Sequence, residues 1–90
     1  MFSIKKGSSM KKVMIYALST CPWCRKTKEV FIRLGVPFDC IDYDLADEET
    51  QERIMAELDE EGVSGFPFVR INGEVVVGYQ PDRYIELLGL

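Results

Sequence analysis

Residues 13–18, Val-Met-Ile-Tyr-Ala-Leu, form an unbroken apolar run of strand length, the pattern of a strand covered on both faces of a sheet. Pro22 then stands where a first helical residue tolerates proline, and Thr27, Val30, Phe31 and Leu34 recur at helical spacing until Gly35 interrupts them. This predicts a helix over roughly 22–35. Residues 36–43 alternate apolar and polar as a second strand. Asp47, followed by Glu48 and Glu49, opens a second helix with the apolar stripe Ile54, Met55 and Leu58, and Gly62 ends it. Residues 68–71 and 75–77 flank Asn72-Gly73, a strong hairpin signal because both turn residues must take positive φ. Pro81 opens a last helix carrying Tyr84, Ile85, Leu87 and Leu88.

The order is therefore βαβ, α, ββ, α. A right-handed crossover makes the first two strands parallel, and the hairpin completes a four-stranded mixed sheet with helices on both faces, an α/β architecture. There is no internal repeat. Residues 1–10, with Lys5, Lys6, Gly7, Ser8 and Ser9 together, read as a flexible tail before a domain over 11–90. The acidic stretch from Glu48 to Glu61 reads as a solvated helix face.

Composition narrows the function. Ninety residues, 47% hydrophobic with five Phe, four Tyr and one Trp, suffice for one core without disulfides or a structural metal. Eleven basic against fifteen acidic residues give a net charge of -4, the wrong sign for gripping a nucleic-acid backbone. No apolar run approaches the ~18 residues of a membrane span, and residues 13–18 are too short for a signal-peptide core. Two of the three cysteines sit at C-x-x-C spacing, which suits a reducing compartment, so a soluble cytoplasmic monomer is expected. Histidine is absent, excluding Cys–His pairs, His-ligated zinc and Ser–His triads. The cysteines remain as the reactive groups.

Residues i and i+3 of a helix bring their Cβ atoms to roughly 5–6 Å, so Cys21 and Cys24 lie a small adjustment from disulfide geometry. Cys21 precedes the helix, where unpaired N–H groups and the helix dipole favour a thiolate, and Arg25, Lys26 and Lys28 add positive potential. It is the expected nucleophile. Cys24, seven residues before Phe31, shares that residue's face, where an apolar setting keeps its thiol protonated as the resolving partner. Spacing alone leaves open a zinc site completed by a carboxylate, an iron–sulfur cluster bridging two chains, and an inert buried pair. Cys40, within a strand pattern and without a partner at useful spacing, reads as structural.

Four features together resemble the glutaredoxin branch of the thioredoxin fold over about residues 12–88. They are Cys21-Pro22-Trp23-Cys24 after the first strand, Phe66-Pro67 before the third, the Asn72-Gly73 hairpin, and Gly78-Tyr79 after the fourth. The resemblance implies a thioredoxin-like three-layer fold, four strands and three helices in the order βαβαββα. It also implies a dithiol oxidoreductase without organic cofactor or metal, reducing protein or small-molecule disulfides. Pro67 would be cis and face the cysteines, and the backbone at Phe66 would pair with an extended substrate or with glutathione. Pro22, Trp23, Phe66, Pro67, Gly78 and Tyr79 would form the substrate site, with Trp23 and Tyr79 exposed beside Cys21.

Glutathione-using members usually carry a basic residue where this chain has Leu18. They also carry Thr or Ser at the position of Gly65, and a Gly-Gly pair with acidic residues where it has Val77-Gly78-Tyr79-Gln80. The stretch from Gly78 to Asp82 is instead similar to glutaredoxin-like redoxins that donate electrons to ribonucleotide reductase. Those redoxins are reduced by thioredoxin reductase, the expected reductant here, with glutathione or another small thiol as the alternative.

Overall fold

Every other element is arranged around the strand Val13–Ala17 (β1), the most apolar segment of the chain. In the computed structural model, which describes residues 12–90, it is followed by α1 (Pro22–Leu34), β2 (Asp39–Asp42), a 3-10 turn (Tyr43–Leu45) and α2 (Glu48–Glu61). Then come β3 (Phe68–Ile71), β4 (Glu74–Val77) and α3 (Pro81–Leu88). The expected tail over 1–10 lies outside the described residues. The sheet order is β2-β1-β3-β4, with β2 parallel to β1 and the other pairings antiparallel. This is the thioredoxin-like α/β architecture expected, with three helices on a four-stranded mixed sheet.

Alternation along the strands sorts side chains between two layers. Val13, Ile15 and Ala17 of β1, with Val69, Ile71 and Val76, face α1 and α3, where Cys24, Phe31, Tyr84 and Leu88 close a continuous core. Phe31 packs its ring 5.2 Å from Tyr84 and 5.9 Å from Phe38. On the opposite face Tyr16 and Phe68 meet Ile54 and Leu58 of α2. The same face holds a polar network in which the Tyr16 hydroxyl donates to Glu57 at 2.6 Å, and Arg70 pairs with Glu57 at 2.9 Å and Glu61 at 3.1 Å. Burial, reinforced by the Glu57 carboxylate, pushes the Tyr16 hydroxyl up to about 12.

The helix ends follow from local chemistry. Cys21 caps α1 with its sulfur, Pro22 occupies the first turn, and Asp47 caps α2 by accepting the Thr50 N–H at 2.8 Å. Asn72 and Gly73 turn the β3–β4 hairpin at φ 51° and 94°, the positive values the dipeptide predicts.

Four expectations need correction. The second strand covers Asp39–Asp42 rather than 36–43: Pro37 offers no N–H to a ladder, and the chain turns at Tyr43 into the 3-10 segment. The first strand stops at Ala17 because the Leu18 N–H leaves the ladder and points to the Cys24 sulfur, 3.5 Å away. Met55 does not join the buried stripe of α2. It is 37% exposed, since one residue of rotation carries it about 100° away from the line through Ile54 and Leu58. Nor is the acidic face of α2 wholly solvated, because Glu57 and Glu61 hold Arg70.

Candidate active site

β1 leads directly to the cysteine pair. After Ala17 the chain crosses a three-residue loop in which the Leu18 carbonyl accepts the Cys21 N–H at 3.1 Å. Ser19 is tied to Asp44 through its backbone N–H at 2.9 Å and its hydroxyl at 2.5 Å. That tie fixes the entry to α1 against the 3-10 turn. Sequence reasoning missed it, since nothing local to Ser19 signals a partner 25 residues away.

The two thiols sit in different surroundings. Cys21 is half-buried, and its sulfur accepts the Cys24 N–H at 3.4 Å. Cys24 is fully buried, and its sulfur accepts the Leu18 N–H. Burial works against a Cys21 thiolate, but hydrogen bonds from the Cys24 thiol and from the N–H groups of Cys24 and Trp23 outweigh it and lower the Cys21 thiol below its ordinary value. Burial pushes the Cys24 thiol the other way, up to about 12, and the neighbouring Cys21 sulfur reinforces the rise. The donors that favour a Cys21 thiolate are therefore N–H and S–H groups, not the cations expected from sequence. Lys28 is engaged with Asp42 at 3.3 Å, and Lys26 lies 5.3 Å above the Trp23 ring.

A second wall stands across from Trp23 of the cysteine motif. The Phe66-Pro67 bond is cis, Pro67 is buried, and its carbonyl accepts the Gly78 N–H at 2.8 Å. Trp23, 55% exposed, lies 5.6 Å from the Tyr79 ring, and the Phe66 ring packs tilted against Tyr43 at 5.4 Å. Trp23, Phe66, Pro67, Gly78 and Tyr79 line one shallow cleft of about 270 Å³, so five of the six substrate-site residues expected from sequence converge there. Pro22 is exposed at the helix start and does not line the cleft. No charged side chain lines it either. Gly65 takes φ 106°, a conformation a Thr or Ser side chain rarely adopts. A larger cleft of about 580 Å³ lies between α2 and the sheet, but no residue of the cysteine motif lines it, whereas Trp23 lines the smaller one, so volume does not identify the chemistry here.

Cys40 is half-buried on β2 rather than enclosed, opposite Ile15 in the ladder, and burial raises its thiol. Among the described residues no three Cys, Asp or Glu side chains group to hold a metal ion, and no helix is long and apolar enough to cross a membrane.

Residues 13–76 match the glutaredoxin family. The chain belongs to the glutaredoxin family. A glutaredoxin-like 8.6 kDa protein encoded in a rubredoxin operon of Clostridium pasteurianum is 35% identical over 77 residues, 82% of this chain and 97% of that protein. The crystal structure of a glutaredoxin from Methanosarcina mazei superposes with a TM-score of 0.78 at 39% identity, covering 88% of this chain and 79% of the other. Methanoredoxin of Methanosarcina acetivorans gives 0.79 at 36% identity over 88% and 85%. As a family member the chain is a thiol–disulfide oxidoreductase on a thioredoxin-like fold, with two cysteines brought together at the head of α1.

Proposed function

We propose that this glutaredoxin is a dithiol electron carrier in which Cys21 attacks a partner disulfide and Cys24 releases it. The observation that carries this reading is the asymmetry of the pair. One sulfur is half-exposed and surrounded by donors that favour its thiolate, and the other is fully buried and held protonated beside it. In the first step the Cys21 thiolate bonds to one sulfur of the disulfide and the other sulfur leaves as a thiolate. In the second, Cys24 gives its proton to the departing partner thiolate and bonds to the Cys21 sulfur, breaking the mixed disulfide. The partner has gained two electrons, and the Cys21–Cys24 disulfide awaits two from a thiol reductant.

The cleft favours a protein partner. Its aromatic and proline lining suits apolar side chains on an extended segment laid along Phe66, whereas glutathione carries two carboxylates that an uncharged cleft leaves unpaired. Leu18, and Gly65 in a conformation unsuited to Thr or Ser, support the same choice. Thioredoxin reductase is accordingly the proposed reductant and ribonucleotide reductase a proposed target, in a cytoplasmic setting.

Cysteine replacement tests the mechanism. Cys24→Ser should accumulate a mixed disulfide through Cys21 that a strong reductant dissolves, and Cys21→Ser should accumulate none. The reverse pattern exchanges the two roles, and no adduct from either variant removes the mechanism. Turnover sustained by glutathione and its reductase, with none from thioredoxin reductase, would overturn the choice of reductant.

A further inference from the structure

Thr27 and Tyr84 place two hydroxyls in the otherwise apolar layer between α1, α3 and the sheet, and both residues are fully buried. Packing does not require them, because Val and Phe have nearly the same shapes, and a buried hydroxyl is unfavourable unless bonded. Each hydroxyl grips a backbone carbonyl. Thr27 Oγ1 donates to Trp23 O at 2.9 Å, and the Tyr84 hydroxyl donates to Gly78 O. The two oxygens lie 3.4 Å apart. Tyr84 gives its single proton to Gly78, so in this pair the Thr27 hydroxyl is the donor, its proton shared between the Trp23 carbonyl and the Tyr84 oxygen.

The two carbonyls belong to opposite walls of the cleft. Trp23 is in the first turn of α1 between the two cysteines, and Gly78 adjoins the cis-proline segment. Gly78 is held twice, its N–H by the Pro67 carbonyl and its own carbonyl by Tyr84. It also sits at φ 91°, so this anchoring fixes a conformation few residues adopt. Tyr79 follows at once, its ring set against Trp23.

We propose, building on the exchange reading above, that Tyr84 is a positioning residue for partner docking: from the core it fixes the Gly78 peptide, and so holds the Tyr79 and Pro67 wall at the spacing from Cys21 that an extended disulfide partner needs, while Thr27 seats its hydroxyl. Tyr84 touches no substrate in this role. Its loss acts through the wall, on recognition and not on sulfur chemistry.

The test uses the full chain and a disulfide-bonded synthetic peptide as the probe. Tyr84→Phe should raise the KM for that peptide about three- to tenfold, the ratio one buried hydrogen bond typically sustains, while kcat stays within about twofold. Trp23 is the chain's one tryptophan, so its emission reports directly on the wall and should shift in the same variant. Thr27→Val should move both readouts in the same direction, and Thr27→Ser, which keeps the hydroxyl, should return them toward the unaltered protein. A fall in kcat at constant KM, or an unchanged KM and emission in a folded Tyr84→Phe, would overturn the proposal. If Tyr84→Phe does not fold, the Thr27→Val and Thr27→Ser pair decides it by the same criteria. An unaltered protein that turns over no peptide disulfide would remove the exchange reading itself, and the proposal with it.

Discussion

Replacing Cys24 by Ala should slow the first attack of Cys21 on a disulfide, for a reason separate from the loss of the resolving thiol. The Cys21 sulfur is favoured as a thiolate by three donors: the Cys24 thiol, the Cys24 N–H and the Trp23 N–H. Ala removes only the first. Hydrogen bonds to charged groups contribute about 1.5–3 kcal/mol, but a thiol is a weak donor and Cys21 is only half-buried, so about 1 kcal/mol is the appropriate figure. That reduces the thiolate population about fivefold at a pH where most Cys21 is protonated. A more basic thiolate is also a better nucleophile, with a Brønsted slope of about 0.4–0.5, so the net slowing is about two- to threefold. The assay is the initial rate with a small aromatic disulfide reporter across pH, with mass spectrometry confirming modification at Cys21. Cys24→Ser, which restores a hydroxyl donor at the same place, should stay close to the unaltered rate, and Lys28→Gln should leave it unchanged because Lys28 is engaged with Asp42. A Cys24→Ala rate equal to that of the unaltered protein, or a Lys28→Gln variant slowed as much, would return the explanation to long-range charge.

Two stability measurements follow from the same structure. Above the ordinary thiol value of 9 the unfolded chain releases the Cys24 proton while the folded chain keeps it until about 12, so the urea midpoint should fall as pH rises through that window, and Cys24→Ala should make the part below pH 10 shallower, with Cys40, whose thiol burial also raises, supplying the decline that remains. Tyr16, held up to about 12 from 10, extends the decline beyond pH 10 in both proteins. Phe31→Ala should cost about 3–5 kcal/mol in denaturant unfolding, since its fully buried ring fills the space between Tyr84 and Phe38. A loss below about 1.5 kcal/mol would mean that the layer collapses to fill the gap.

The elements were legible because their signals are local. Pro22, Gly35, Asp47, Gly62 and Asn72-Gly73 each act within a few residues of themselves, and the helices and hairpin begin and end there. The cleft was legible only through the combined pattern of the cysteine motif, Phe66-Pro67 and Gly78-Tyr79, three segments that no periodicity brings together. What escaped depends on partners distant in the chain. Thr27 fits the helical stripe, but its hydroxyl acquires meaning from Tyr84, 57 residues on. The lysines of α1 looked like support for a thiolate until β2 supplied Asp42 for Lys28. Met55 was misread because a run of apolar residues does not say which of them lies on the helix axis facing the sheet.

The two faces of the sheet are unequally furnished. Ten buried residues join α1, α3 and the strands on one side, while α2 is seated on the other by Ile54, Leu58 and a set of ion pairs. Local opening free energy scales with the apolar contacts an element must break, so α2 forms the lower-stability cooperative unit of the domain. Its amides should exchange with deuterated solvent earlier than those of α1. A molecule that has transiently released α2 still carries Cys21, Cys24, Thr27 and Tyr84 on the intact side, which makes the α2 surface the place where the sequence is free to vary, or accept a graft, with the least consequence for the thiols.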